Sequence, residues 1–193
     1  MKAFLKALTM VLIVGILTQA NLFAQGAKAE AALGTFDKQE FLFSSLEKGD
    51  FSTAKQLMTT GGYDVTVTAT LTTVIDIVSG YYDNMTAENG LGTIKTLFTV
   101  IYPIIIGTGD KTDITIKTGT LNALTTAIYN KLKDNFYSEK DLQAKIYPML
   151  QTIVMLPETY PGHKQSIYDT VEKLGFTGVT TSAGGVTEIV IPK

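Results

Sequence analysis

Nearly the same phrase occurs twice in this chain. DVTVTATL occupies residues 64–71 and DITIKTGTL occupies residues 113–121, so the second phrase begins 49 residues after the first. Each runs from an Asp through β-branched residues to a closing Thr-Leu. Recurrence of this kind is typical of repeat architectures, in which similar units stack on their neighbours. The phrase therefore predicts a repeated structural unit.

The segment before the first phrase predicts two short helices separated by a tight turn. Gly49 is suited to end the first helix, Asp50 or Ser52 to cap the second, and Gly61-Gly62 to stop it. The apolar face of the first helix comprises Phe36, Phe41, Leu42 and Leu46. That of the second comprises Phe51, Ala54, Leu57 and Met58. Both sets follow helical spacing.

Two looser copies of this unit follow along the chain. Residues 70–78 are predicted to be helical, and Glu88-Asn89-Gly90 is predicted to be the turn of the second copy. Pro148 predicts a kink or an insertion in the third copy, and Gly175 ends a final helix that starts near His163. The apolar stripes of the two copies comprise Leu91, Ile94, Leu97 and Phe98, then Leu121, Leu124, Ile128 and Leu132.

Residues 42–65, LFSSLEKGDFSTAKQLMTTGGYDV, resemble an ankyrin repeat. The resemblance implies a mainly α fold over residues 35–175. This would be a short array of stacked helix-turn-helix, ankyrin-like repeats with extended finger loops that start at Asp64 and Asp113. The family repeats every 33 residues and opens its first helix with Thr-Pro-Leu-His, whereas here no Pro follows Thr70 or Thr120. The alternative is a single α+β domain in which the two phrases are strands.

The same resemblance implies a function: a non-catalytic protein-binding or scaffold module that uses a repeat surface. Its partner would be another protein. The sequence specifies neither the identity of that partner nor the oligomeric state of this protein. The implied contacts lie at the finger positions, which are Tyr63, Thr66, Thr68, Lys111, Thr115 and Lys117.

The first residues have the layout of a secretory signal peptide. Lys2 and Lys6 precede an apolar run over residues 7–17, which is shorter than a membrane span requires. Cleavage is predicted after Ala24, with Ala20 as the alternative. The predicted organisation is a signal peptide (1–24), a flexible leader (25–34), the repeat domain (35–175) and an extended C-terminal tail (176–193). We therefore expect an exported bacterial protein, periplasmic or extracellular, without a stable span after cleavage.

Charge and residue types argue against several functions. Without Lys2 and Lys6, 14 basic residues face 18 acidic ones, a formal charge of −4. The basic residues are scattered lysines without any Arg, which disfavours nucleic-acid binding. The chain has no Cys and a single His, His163, so neither a nucleophile–base pair nor a zinc site can be named. We predict no enzymatic activity and no cofactor.

A second function is compatible with the sequence. The apolar run TLFTVIYPIII at residues 96–106 is suited to line a pocket. In that case the protein would be a periplasmic small-ligand carrier or an envelope-stress protein with an apolar pocket.

Overall fold

Helices account for nearly all of residues 35–107, 114–154 and 163–176, which are the residues that the computed structural model describes. The predicted mainly α fold is confirmed, and these residues contain no strand that would support the α+β alternative. The elements in chain order are α1 (Thr35–Glu47), α2 (Phe51–Thr60), α3 (Val65–Ser79), α4 (Ala87–Thr96), a π-helix (Leu97–Ile101), α5 (Tyr102–Gly107), α6 (Ile114–Asn135), α7 (Glu139–Val154) and α8 (His163–Lys173).

The chain divides into two units, Met1–Gln39 and Glu40–Lys193. The described part of the first unit is residues 35–39, which form the beginning of α1. All packing reported below belongs to the second unit. The predicted signal peptide, the leader and the tail after residue 176 lie outside the described residues.

Helices α1 and α2 form as the sequence predicts. Gly49 has a φ of 77°, a left-handed conformation that suits Gly at the end of a helix. The Asp50 carboxylate then accepts a hydrogen bond from the backbone N of Thr53 at 3.1 Å and caps α2. The side chain of Phe36 lies outside the described residues. The other predicted core residues of the pair are buried, except Phe41, which is 47% exposed. The buried ones are Leu42, Leu46, Phe51, Ala54, Leu57 and Met58.

The first Asp phrase is helical, so the predicted finger loop at this position is wrong. Asp64 is the N-cap of α3, and its carboxylate accepts a hydrogen bond from the backbone N of Val67 at 3.0 Å. β-branched residues cost less than about 1 kcal/mol each in a helix, whereas burying an apolar side chain is worth about 1.5–3 kcal/mol. The free energy gained by burying an apolar stripe on one face of a helix therefore exceeds the cost of placing the alternating Thr and Val residues in that helix. That stripe comprises Val67, Leu71, Ile75 and Val78.

The second phrase is helical as well, from Ile114 onward, and it opens the central helix of the second unit. Helices α3, α4, α5, α7 and α8 all pack against α6. Polar residues of α6 are therefore buried together with apolar ones, Lys117 and Asn122 among them. The predicted apolar face of this helix is confirmed, since every member is 0% exposed: Leu121, Leu124, Ile128 and Leu132.

Two glycines in helices are explained by close packing. A Cβ added to Gly119 of α6 would lie 2.1 Å from Cζ of Phe43, so the missing side chain lets α1 approach. A Cβ added to Gly90 would lie 2.7 Å from Cδ2 of Leu132. Gly90 lies in the first turns of α4, so the turn predicted at Glu88-Asn89-Gly90 is wrong. Gly90 therefore allows α4 to pack closely against α6 and does not end a helix.

The C-terminal helices follow their predicted stripes. Helix α7 continues through Pro148, which is exposed and faces away from the buried residues Ile146, Leu150 and Ile153. Helix α8 buries Ile167 and Val171, and Gly175 follows it with a φ of 86°. This positive φ is the conformation expected of a glycine that ends a helix.

Candidate functional site

A groove of about 680 Å³ runs between α3 and the segment formed by α4 and the π-helix. These helices follow each other in the chain, yet they make few close backbone contacts, because α3 packs against α2 and α6 while α4 packs against α6. The groove is lined by Thr70, Thr73, Val74, Ile77, Val78, Asn89, Gly92, Thr93, Thr96, Leu97 and Ile101.

No charged residue is among the described residues that line the groove. Ile77 is 59% exposed at its edge, and Val74 and Ile101 pack against the core from the same surface. Gly92 leaves a gap in the α4 wall, since a Cβ placed there would meet no atom within 4 Å. The groove is thus an open apolar surface with room at its centre.

Four threonines line the groove, but their hydroxyl hydrogens are already used. Each hydroxyl donates to the backbone carbonyl four residues earlier in its own helix, a common arrangement for Thr inside helices. A threonine bonded in this way offers its methyl group and no free donor. The four bonds are Thr70 to Thr66 at 3.1 Å, Thr73 to Ala69 at 2.8 Å, Thr93 to Asn89 at 2.8 Å and Thr96 to Gly92 at 3.0 Å.

The Tyr81 hydroxyl holds the loop between α3 and α4 against the groove. It is hydrogen-bonded to Oγ1 of Thr93. Because the Thr93 hydrogen goes to the Asn89 carbonyl, Tyr81 must be the donor in this pair. Burial raises the pKa of Tyr81, so the phenol stays protonated at neutral pH and keeps this bond.

Asn89 is fixed by a capping box at the start of α4. Its Oδ1 accepts a hydrogen bond from the backbone N of Thr86 at 2.8 Å, and its own backbone N donates to Oγ1 of Thr86 at 3.2 Å. The two bonds satisfy backbone donors at the helix end and hold the Asn89 side chain beside the groove.

A smaller cavity of about 230 Å³ lies among α1, α6 and α8. Glu47, Asp169 and Lys173 contribute charged side chains to it, and Asn122 contributes a buried amide. The Asn122 amide oxygen already accepts a hydrogen bond from the hydroxyl of Tyr102. This cavity is much smaller than the groove.

The predicted partner-contact residues do not form one surface. Tyr63 packs partly buried against the core, Thr66 is exposed on α3, and Thr68 is half-buried there. Oγ1 of Thr68 is buried without a hydrogen-bond partner among the described residues. Lys117 is only 3% exposed. None of these four lines the groove, and Lys111 and the side chain of Thr115 lie outside the described residues.

Sequence reasoning found part of one wall of the groove and missed the other wall. Thr96, Leu97 and Ile101 belong to the segment 96–106 that was predicted to line an apolar pocket, and they line this groove. The α3 wall was missed because residues 70–78 were predicted to be helical but none of them was predicted to line a pocket. A signal existed: Thr70, Thr73 and Ile77 recur at helical spacing beside the buried stripe of α3.

The described residues contain no group of three or more His, Asp or Glu side chains placed to hold a metal ion. Within the same ranges, no helix has both the length and the apolarity that crossing a bilayer requires.

Comparisons of the chain with protein-family models, with curated proteins and with solved structures give no match. The resemblance to an ankyrin repeat therefore has no support from these comparisons.

Proposed function

We propose that this protein is a non-catalytic binding protein that holds an elongated apolar molecule in the groove between α3 and α4. The observation that carries the proposal is the uncharged groove of about 680 Å³ whose threonine donors are all satisfied within their own helices. Ligand pockets in proteins are mostly apolar and measure roughly 300–1,000 Å³. Together with the predicted signal peptide, this makes the protein an exported small-ligand carrier.

The groove is long enough for a chain-like ligand. Its α4 wall extends from Asn89 to Ile101, and a helix rises about 1.5 Å per residue, so this wall is about 18 Å long. A molecule of that length would cover Ile77, which is otherwise exposed to water. Removal of this apolar area from water is the driving force for binding.

Substitution of Gly92 tests the proposal without disturbing the core. The Leu side chain of Gly92→Leu would project into the open space of the groove, so we expect affinity for the uncharged apolar dye Nile red to fall by roughly tenfold or more, a loss of about 1.4 kcal/mol or more. Stability should rise, since Leu is favoured over Gly in a helix by about 0.5–1 kcal/mol. Fluorescence titration and thermal unfolding measure the two effects.

Two control variants separate blocking from other effects. Gly92→Ala improves the helix but leaves most of the groove open, so it should keep the dye affinity. Thr59→Leu adds the same side chain at an exposed position of α2 outside the groove. Equal dye binding by the wild type and Gly92→Leu would show that the groove is not the binding site.

A protein partner is the second candidate function. It is favoured by exposed apolar side chains that continue from the groove along the π-helix and α5: Val100 is 46% exposed and Ile104 is 47% exposed. An amphipathic helix could lay its apolar face along such a surface. Cross-linking of the exported protein in its native cells, compared with Gly92→Leu, tests this candidate, which requires a partner that the variant loses.

A further inference from the structure

We infer that the side-chain amide of Asn89 selects the ligand of the groove: it takes an apolar chain that ends in an uncharged hydrogen-bond acceptor, such as an ester, amide or ketone carbonyl. This inference rests on the proposed function and names the chemical class of its ligand. It depends on two features of the groove: which side chains have a free hydrogen-bond donor, and which charges lie along it.

One side chain among the described residues of the groove has a hydrogen-bond donor that is not used within the described part of the protein. The groove-lining threonines are Thr70, Thr73, Thr93 and Thr96, and each donates within its own helix. Asn89 is the other polar side chain of the lining. Its Nδ2 makes no hydrogen bond with the described residues, whereas its Oδ1 is used by the capping box. Among the described residues that line the groove, one side chain therefore has a hydrogen-bond donor to offer a ligand.

The orientation of the Asn89 amide is set by chemistry. Oxygen and nitrogen of a side-chain amide look alike, and their assignment must come from the hydrogen-bond network. The backbone N–H of Thr86 is a donor, so the atom it meets at 2.8 Å must be the acceptor Oδ1. Nδ2 is then the free end of the amide. It can donate two hydrogen bonds and accept none, so the ligand atom opposite must be an acceptor.

The charges along the groove favour an uncharged end group. No Lys or His is among the described residues that line it, so a carboxylate would find no cationic partner there, whereas an uncharged acceptor needs none. Asn89 is the first groove residue of α4 and follows the loop held by Tyr81, so the acceptor would sit at this end. The rest of the ligand would extend toward Ile101 along satisfied threonines and aliphatic side chains.

Paired ligands and an isosteric variant test the inference. A saturated fatty-acid methyl ester and the straight-chain alkane of equal length are compared in displacing Nile red, using protein purified from cells that express the full sequence. A neutral hydrogen bond contributes about 1 kcal/mol, so the ratio of ester affinity to alkane affinity should be about fivefold higher in wild type than in Asn89→Asp. The variant loses the donor, while its Oδ1 still completes the cap.

Asn89→Gln is the matched control. Gln at this position also completes a capping box and keeps an amide donor, so the ester preference should remain well above that of Asn89→Asp. Thermal unfolding of both variants checks the fold, and Asp in the first turn of a helix is favourable there.

The outcomes separate the two proposals. If the ratio of ester affinity to alkane affinity is the same in wild type and in Asn89→Asp, the role of Asn89 is overturned while the proposed function stands. The other outcome is that wild type binds the dye, Gly92→Leu does not, and neither ligand displaces the dye from wild type. In that case the groove does not take apolar chains, and the proposed function falls with the inference.

Discussion

Two tyrosine hydroxyls are buried where helices meet, and both keep their protons well above neutral pH. The Tyr102 hydroxyl donates to Asn122, and burial raises the pKa of Tyr102 far above its usual range. The Tyr129 hydroxyl donates to the backbone carbonyl of Leu174 at 2.9 Å. Burial, followed by the nearby charge of Glu139, raises the pKa of Tyr129 to about 12. Both bonds require the protonated phenol.

These shifts predict a loss of stability in alkali. In the unfolded chain a tyrosine ionises near pH 10, whereas Tyr129 in the folded protein holds its proton until about pH 12. The stabilisation is therefore complete below pH 10 and is lost as the pH rises toward 12. We expect the urea midpoint of wild type to fall across this window and that of Tyr129→Phe to fall less. Parallel curves for the two proteins would contradict the assignment.

The hydrogen-bond partners and the burial of individual polar residues are poorly predicted by the sequence. Tyr102 and Tyr129 belong to apolar runs whose burial is predictable, but the acceptors they meet lie 20 and 45 residues away. Lys117 shows the same limit, since it was predicted at an exposed finger and is only 3% exposed within α6. Its burial depends on helices packing around α6, which the local sequence does not report.

At the scale of the element, the start of α3 decides between helix and finger. Asp64→Ala removes the acceptor for the backbone N of Val67, and loss of an N-cap costs about 1 kcal/mol. We expect urea unfolding to show this loss, and Asp64→Asn to recover most of it because the amide oxygen can cap as well. An unchanged midpoint in Asp64→Ala would mean that the phrase does not begin a helix.

The elements themselves were largely predictable. Gly49 and Gly175 end helices with positive φ, and Asp50 caps α2, as their residue types indicated. The failures were the two Asp phrases and the Glu88-Asn89-Gly90 turn. In each case a local preference, for strand or for turn, was opposed by an apolar stripe with helical spacing. The stripe prevailed because it is buried against other helices.

At the scale of the whole molecule, the second unit depends on α6. Leu124 is 0% exposed in this helix, and truncation of a fully buried Leu costs about 2–5 kcal/mol. We expect Leu124→Ala to destabilise by that amount in urea unfolding. Leu91→Ala should cost clearly less, because Leu91 is only partly buried in α4. Equal losses for both variants would contradict a central role for α6.

The sequence by itself determined most of the helical stripes and where glycines and caps end them. The tertiary structure decided that the two similar phrases open helices, that Gly90 and Gly119 serve close packing, and that α3 and α4 stand apart to leave a groove. The physical reason is the separation along the chain between the residues that interact. Spacing and caps act within a few residues, whereas the gap between two helices depends on how each packs against α6, through contacts between residues far apart in the chain.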